Sequence, residues 1–132
     1  ATANIVGQMS LSLEYLHCNR MVHRDVKGDN YLCTVGDVRD PDIRIVLTDF
    51  GTALEVNPPD KRLEEKCGTK LYWSPEFYKV NYSYKVDIWA MGVVFYGLLN
   101  KRFPFRNQDE VNTKQLKFAE DAPEELRQAD LA

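Results

Sequence analysis

Acidic, amide and basic side chains gather between Asp25 and Asn30, and another carboxylate follows at Asp49. Carboxylate and amide oxygens are hard ligands that suit a hard cation such as Mg²⁺. Lys27 stands two residues after Asp25, so on an extended loop both side chains would point the same way. The plainer interpretation is turn chemistry, because Asp and Asn are ordinary loop residues. The surrounding motifs decide between the two interpretations.

Several short motifs follow one another in a recognisable order. They are HRDVKGDN at residues 23–30, DFG at 49–51, SPE at 74–76 and DIWAMG at 87–92. In this order and approximate spacing they resemble the catalytic loop, the D-F-G triplet, the A-P-E triplet and the D-x-W-x-x-G helix of eukaryotic-type Ser/Thr protein kinases. Any one motif alone would be weak support, but together they make coincidence negligible.

The resemblance implies a role for each polar residue in phosphoryl transfer from ATP, which depends on positioning and charge neutralisation. Asp25 would accept or orient the proton of the substrate hydroxyl. Asn30 and Asp49 would hold the Mg²⁺ ions that bridge the ATP phosphates. Lys27 would offer a compact positive charge to the transferred phosphoryl group. Thr69, in the sequence GTKLYWSPE, would hydrogen-bond Asp25 and Lys27.

The same resemblance places Asp29 and Leu32, with Lys27, among the ATP-binding residues. Leu32 would form part of the floor beneath the adenine ring, although a simple strand core is the alternative interpretation. Asp29 is also acidic where basophilic relatives often carry Glu, which favours Arg or Lys before the phosphoacceptor. Gly97 stands where such kinases often have a second acidic residue, so that preference should be partial.

Other residues are expected to support the reacting groups rather than to react. His23 and Phe50 would pack together and align the two loops that carry them. Asp87 would accept backbone N–H groups of the catalytic loop, and Trp89 would pack beneath the activation segment. These roles, too, follow from the resemblance.

Arg24 is a fixed positive charge that many relatives neutralise with a phosphorylated residue in the activation loop. Residues 53–68 contain no Ser, Thr or Tyr, and Glu65 occupies the usual phosphosite, four residues before Thr69. We hypothesise that Glu65 supplies a permanent but weaker anion for Arg24. In the alternative interpretation Glu65 belongs to a solvated charged run.

Hydrophobic periodicity predicts the elements that position these residues. Apolar residues at 5, 9, 13 and 16 predict a helix that ends near residues 17–19. Short strands are expected at residues 31–33 and 43–47, with an exposed loop at 34–42 between them. A long, mobile surface loop is expected at 52–70, a helix buried on most sides at 86–99, and one or two surface helices after residue 109.

The fold class expected from these elements and the resemblance is α+β. It is the mainly helical C-terminal lobe of a protein-kinase-like fold, with short β-strands around the catalytic loop and the DFG motif. We expect one partial kinase domain over residues 1–132. Its segments would be a helix (1–19), the catalytic loop and strands (20–48), the activation segment (49–76), and a buried helix with following helices (77–132).

Composition excludes several classes of protein. Hydrophobic residues make up 44% and charged residues 28% of the chain, and the net charge of -3 gives no basic field for nucleic acid. No apolar run approaches the length of a membrane span. The three cysteines, odd in number and widely spaced, favour reduced thiols and an intracellular, cytoplasmic location. The oligomeric state is left open.

A G-x-G-x-x-G loop and a V-A-I-K strand are missing from the sequence, so we expect the N-terminal lobe to be absent and the chain alone to be inactive. The leading hypothesis is a Ser/Thr protein kinase that uses ATP and Mg²⁺ on a protein substrate. One alternative is a non-catalytic kinase-like module that binds a partner through exposed apolar surface. Another is a small-molecule kinase of the aminoglycoside-phosphotransferase type, which shares the H-x-D-x-x-x-x-N loop.

Overall fold

Residues 2–34 and 36–117 are described by a computed structural model of the chain. The helices in them are α1 (Thr2–Cys18), α2 (Pro75–Tyr78), α3 (Lys85–Asn100) and α4 (Gln108–Thr113), and the strands are β1 (Met21–Val22), β2 (Tyr31–Cys33), β3 (Ile45–Leu47) and β4 (Leu54–Glu55). Single 3₁₀ turns lie at Gly28–Asn30 and Lys70–Tyr72. This mixture of helices and a few short strands confirms the predicted α+β class.

Helix α1 lies against the rest of the chain along the predicted stripe. Met9 and Leu13 are fully buried, and Ile5 and Leu16 are half-buried. The side chain of Gln8 also donates to the carbonyl of residue 43 over 2.9 Å and accepts the amide of residue 45 over 3.0 Å. The helix therefore fixes the strand that leads toward the DFG motif.

Two antiparallel strand pairs frame the catalytic loop. In one, Tyr31 lies opposite Leu47 on β2 and β3; in the other, Val22 lies opposite Leu54 on β1 and β4. The prediction for residues 31–33 is confirmed. The second predicted strand begins later, because β3 starts at residue 45 and Ile43 is instead a fully buried side chain ahead of it. Among the described residues of the intervening loop, all but the half-buried Asp40 are exposed, as expected.

The prediction of a long surface loop over residues 52–70 is wrong in part. Strand β4 lies inside this stretch, and Val56 and Leu63 are buried at 4% exposure each. Leu63 forms an isolated antiparallel bridge with Tyr82. Although its neighbours in the sequence are charged, Leu63 joins the core that also contains Val22, Phe77, Tyr82 and Val86.

Helix α3 is buried or half-buried on most sides, as predicted, and is exposed only at a few positions within residues 86–99. Val86, Ala90 and Val93 face the interior, whereas Ile88 and Leu98 are 45% and 36% exposed. The turn at Lys70–Tyr72 and the ring of Phe105 also lie against α3. The inward face meets α1, and Ala90 joins a second core with Leu13, Val26 and Leu47 directly behind the catalytic loop.

Local sequence explains where the short helices begin. Ser74 caps α2 by accepting the amide of Phe77, and Pro75 occupies the first helical position, where a missing N–H costs nothing. Asn107 caps α4 in the same way through the amide of Glu110.

Helix α4 is the expected surface helix near residue 109, while Phe118 and later residues of the predicted tail lie outside the described range. Within that range no helix has the length and apolarity required to cross a membrane.

Candidate active site

A buried carboxylate holds the start of the catalytic loop. Asp87, 1% exposed in the first turn of α3, accepts the amide of His23 over 2.8 Å and the amide of Arg24 over 2.9 Å. Its Oδ2 is also 2.9 Å from Nε2 of His17 on α1. The predicted contact between Asp87 and the loop is therefore present, and it joins α1 and α3 to the site.

The Thr69 hydroxyl links two of the predicted catalytic residues. It donates to Oδ1 of Asp25 over 2.8 Å and accepts from Nζ of Lys27 over 3.0 Å. The three side chains are half-buried, and they bring the activation segment onto the catalytic loop across more than forty residues of sequence. These are the contacts expected from the sequence.

Asn30 and Asp49 lie at the same end of the β2–β3 pair. The carbonyl of Asn30 accepts the amide of Thr48 over 2.7 Å, and Asp49 is the next residue along the chain. The Asn30 side-chain amide donates to the carbonyl of Asp25 over 2.7 Å and approaches its Oδ2 at 3.4 Å. The amide joins Asn30 to Asp25, and the sheet pairing brings Asp49 to the same end of the sheet as Asn30.

The donor set at this point fits a hard cation. The side-chain N–H₂ group of Asn30 donates to the Asp25 carbonyl in the catalytic loop, and no described residue donates to Oδ1 of Asn30. Asp49 is exposed, and its backbone φ is 60°. Its Oδ1 accepts the amide of Gly51 over 3.3 Å. An amide oxygen and a carboxylate suit Mg²⁺, which usually keeps water and phosphate oxygens as its other ligands. Residues 2–34 and 36–117 hold no cluster of three or more His, Cys, Asp or Glu side chains that could bind a metal without such help.

His23 and Phe50 pack edge to face with ring centroids 5.1 Å apart, as predicted. Nδ1 of His23 accepts the amide of Asp25 over 3.1 Å, so Nε2 carries the hydrogen that the Thr48 carbonyl accepts at 3.0 Å. The imidazole thus joins the catalytic loop to the residue before Asp49.

Leu32 is 58% exposed, so its interpretation as a strand-core residue is wrong. It lies opposite Val46, which is 54% exposed, and the pair forms a small apolar face on the β2–β3 sheet. Asp29 is exposed in the turn before Asn30, and its carboxylate makes no hydrogen bond with another described residue. The ring of Trp89 stacks on Phe105 at 5.6 Å. Packing of Trp89 beneath the activation segment stays a prediction, although α3 does contact the turn at Lys70–Tyr72 of that segment.

The side chain of Arg24 lies between two parts of the activation segment. Its Nε donates to the carbonyl of Thr52 over 2.7 Å, and its NH1 group lies 3.4 Å from the Tyr82 hydroxyl and 3.7 Å from a carboxylate oxygen of Glu65. Burial opposes the guanidinium charge, but the hydrogen bond to Tyr82 and the nearby Cys67, Tyr82 and Glu65 raise the Arg24 pKa above its ordinary value. Burial also raises the pKa of the Cys67 thiol.

Sequence reasoning missed Tyr82 and His17. Tyr82 meets Arg24 across 58 residues, and His17 meets Asp87 across 70. Neither residue belongs to a motif, and neither separation leaves a periodic signal in the sequence.

Comparison with known proteins agrees with this geometry. A family model described as "Protein kinase domain" matches residues 1–129. An Aurora kinase of Saccharomyces cerevisiae is 36% identical over 107 residues, which are 80% of this chain and 27% of the relative. The serine/threonine-protein kinase PEPKR2 of Arabidopsis thaliana is 38% identical over 104 residues, 79% of this chain and 21% of the relative.

The liver/testis isoform of the phosphorylase b kinase gamma catalytic chain of Homo sapiens is 34% identical over 117 residues, 83% of this chain. The chain spans 27% or less of the length of each of these three relatives. A protein kinase match over nearly the whole chain also disfavours a small-molecule kinase of the aminoglycoside-phosphotransferase type. The residues of the HRD, DFG and SPE motifs meet in the described part of the chain, and the chain belongs to the protein kinase family, with Ser/Thr kinases among its relatives.

Proposed function

We propose that this chain forms the catalytic lobe of a Ser/Thr protein kinase, which transfers the γ-phosphoryl group of ATP to a protein hydroxyl. The observation that carries the proposal is the chain of hydrogen bonds from Lys27 through Thr69 to Asp25. It connects a carboxylate and an amine, both on half-buried residues, through one hydroxyl. That pairing suits a reaction in which a hydroxyl loses a proton while phosphate charge is neutralised.

Asp25 orients the substrate hydroxyl and accepts its proton. Its Oδ1 is occupied by the Thr69 hydroxyl, whereas Oδ2 has only the 3.4 Å approach of the Asn30 amide. Oδ2 is therefore the oxygen available to the substrate. Lys27, joined to this carboxylate through the Thr69 hydroxyl, would offer its side-chain nitrogen to the transferred phosphoryl group.

Asn30 Oδ1 and the Asp49 carboxylate would hold Mg²⁺. When bound, ATP supplies the phosphoryl group and Mg²⁺ neutralises the charge on its phosphates. Leu32 would offer an apolar surface to the adenine ring, since its side chain is exposed on the β2–β3 sheet two residues after Asn30. Asp29 stays at the edge of the nucleotide site, where its free carboxylate meets basic residues of the protein substrate.

In this proposal Glu65 neutralises part of the Arg24 charge without phosphorylation. The four segments 1–19, 20–48, 49–76 and 77–132 stay predictions of how one partial kinase domain is divided. An intracellular, cytoplasmic location is likewise proposed, from the odd number of widely spaced cysteines.

The test measures transfer of γ-labelled phosphate from ATP to a mixture of Ser- and Thr-containing peptides by the full-length protein. Asp25→Asn should lower kcat by about 10²- to 10⁴-fold, the usual contribution of a general base. Asp60→Asn is the matched control, because Asp60 is exposed in the activation segment, and it should keep wild-type activity. Equal activity of Asp25→Asn and wild type would remove the proposal.

A second candidate function is a non-catalytic module that binds a protein partner. It is favoured by the exposed apolar side chains of Leu32, Val46 and Phe50, which are 58%, 54% and 48% exposed. A full-length protein that binds no Mg²⁺–ATP in calorimetry, yet is folded, would favour this candidate over the kinase.

A further inference from the structure

The stretch before α3 is joined to the activation segment at consecutive residues. Leu63 and Tyr82 exchange backbone hydrogen bonds of 2.8 and 3.0 Å. Beside them, the Arg62 guanidinium donates from Nε to Oδ1 of Asn81 and from NH2 to its carbonyl oxygen, both over 2.8 Å. None of these contacts requires a phosphate.

The Tyr82 side chain extends this junction to the catalytic loop. Its ring is fully buried and lies 4.5 Å from the ring of Phe77, so its position is fixed by packing. Its hydroxyl donates to the backbone carbonyl of Glu65 and lies 3.4 Å from the NH1 group of Arg24. Because Arg24 also binds the carbonyl of Thr52, one guanidinium holds the activation segment at Thr52 directly and at Glu65 through Tyr82.

The hydroxyl of Tyr82 is better placed than the carboxylate of Glu65 to hold the activation segment against Arg24. The Glu65 side chain is 75% exposed and lies 3.7 Å from Arg24, so water and salt screen the ion pair. A hydrogen bond made by a buried hydroxyl is not screened in this way, and its loss leaves a buried group without a partner. Burial raises the pKa of Tyr82 despite the opposing effect of Arg24, so the hydroxyl keeps its proton at neutral pH.

We infer that Tyr82 is a positioning residue that anchors the unphosphorylated activation segment, and that its hydroxyl, rather than the Glu65 carboxylate, couples this segment to Arg24. The inference rests on the proposed kinase function and adds a regulatory consequence. Glu65 is four residues before Thr69, so anchoring Glu65 limits the positions from which Thr69 reaches Asp25. A kinase built in this way reaches its active arrangement without phosphorylation between residues 53 and 68.

The test compares Tyr82→Phe with Glu65→Gln in the full-length protein. Tyr82→Phe keeps the buried ring and removes only the hydroxyl, and it should lower kcat about tenfold, the effect of losing one buried hydrogen bond. The KM for ATP should stay unchanged, because Tyr82 contacts neither Asn30 nor Asp49. Glu65→Gln should change kcat by less than about twofold. Tyr15→Phe, on the exposed face of α1, is the matched control and should match wild type.

Backbone amide exchange distinguishes positioning from general loss of stability. In Tyr82→Phe, exchange should rise at residues 63–69 and stay unchanged in α1. Unchanged kcat, a loss in Glu65→Gln as large as in Tyr82→Phe, or exchange raised equally throughout the chain would each overturn the inference. If wild type is active and Asp25→Asn is not, any of these results counts against the role of Tyr82 alone. If wild type transfers no phosphate, the proposed function fails first.

Discussion

Gly68 lies so close to Arg24 that a Cβ at residue 68 would be 2.3 Å from the Arg24 carbonyl oxygen. Its φ of +80° is a left-handed backbone conformation that residues other than glycine rarely adopt. The next residue, Thr69, donates to Asp25 over 2.8 Å. The contact between two backbones thus sets the distance between the activation segment and the predicted catalytic carboxylate.

Gly68→Ala should therefore disturb both stability and catalysis. The strained φ alone costs about 1–2 kcal/mol, and the Cβ must push residue 68 away from Arg24. We expect a lower free energy of unfolding by at least that amount and a loss of activity of about tenfold or more, since Thr69 moves with its neighbour. Chemical denaturation and the peptide phosphorylation assay measure the two effects.

Gly7→Ala is the control for this substitution. Gly7 lies on the exposed face of α1, and a Cβ there would have nothing within 4 Å. The change should stabilise the protein by about 0.5–1 kcal/mol, because alanine loses less backbone entropy in a helix. If Gly68→Ala behaved like Gly7→Ala, the close approach to Arg24 would not matter.

Asp87→Ala should be the most destabilising change near the site. The carboxylate is buried and accepts the amides of His23 and Arg24 while it contacts His17. Its removal leaves two buried backbone amides without an acceptor, and each such unsatisfied donor costs about 1–3 kcal/mol. Thermal or urea unfolding measures the loss.

Asp87→Asn tests how much of that loss comes from the charge. Asparagine keeps the volume and one acceptor oxygen, so the loss should shrink to about 1–3 kcal/mol. Asp60→Ala, at an exposed position, should leave the unfolding midpoint unchanged. A midpoint for Asp87→Ala equal to that of Asp60→Ala would mean that the catalytic loop does not depend on α3.

The residues of the catalytic loop could be predicted because they are neighbours in the sequence and form a motif. Asp25, Lys27 and Asn30 lie within six residues, and the contact of Thr69 with Asp25 followed from resemblance to kinases. The burial of Leu63 could not be read in the same way. It is one apolar residue within the charged run DKRLEEK, and its neighbour Tyr82 is 19 residues away, so neither period-2 nor period-3.6 spacing marks it.

In α3 it is exposure, rather than burial, of individual residues that the sequence could not predict. Its apolar sequence correctly predicted burial on most sides, but nothing in it distinguished the exposed Ile88 and Leu98 from their buried neighbours. Hydrophobicity measures how favourable burial would be, while exposure depends on which neighbours are present. Tyr82 illustrates both points, since only the fold brings its hydroxyl between Arg24 and Glu65.

Leu32 allows nucleotide binding to be separated from folding. Because its side chain is 58% exposed, Leu32→Ala should change the free energy of unfolding by no more than about 0.5 kcal/mol. If the side chain lies against adenine, the lost apolar contact should cost about 1 kcal/mol, or roughly fivefold in the Kd for Mg²⁺–ATP. Calorimetric titration of the full-length protein measures that Kd.

Val38→Ala is the matched control, because Val38 is 51% exposed in the loop between β2 and β3 and should keep wild-type affinity. The same Kd for both variants would show that the apolar face of Leu32 and Val46 does not meet the nucleotide, and the face would then be available to a protein partner.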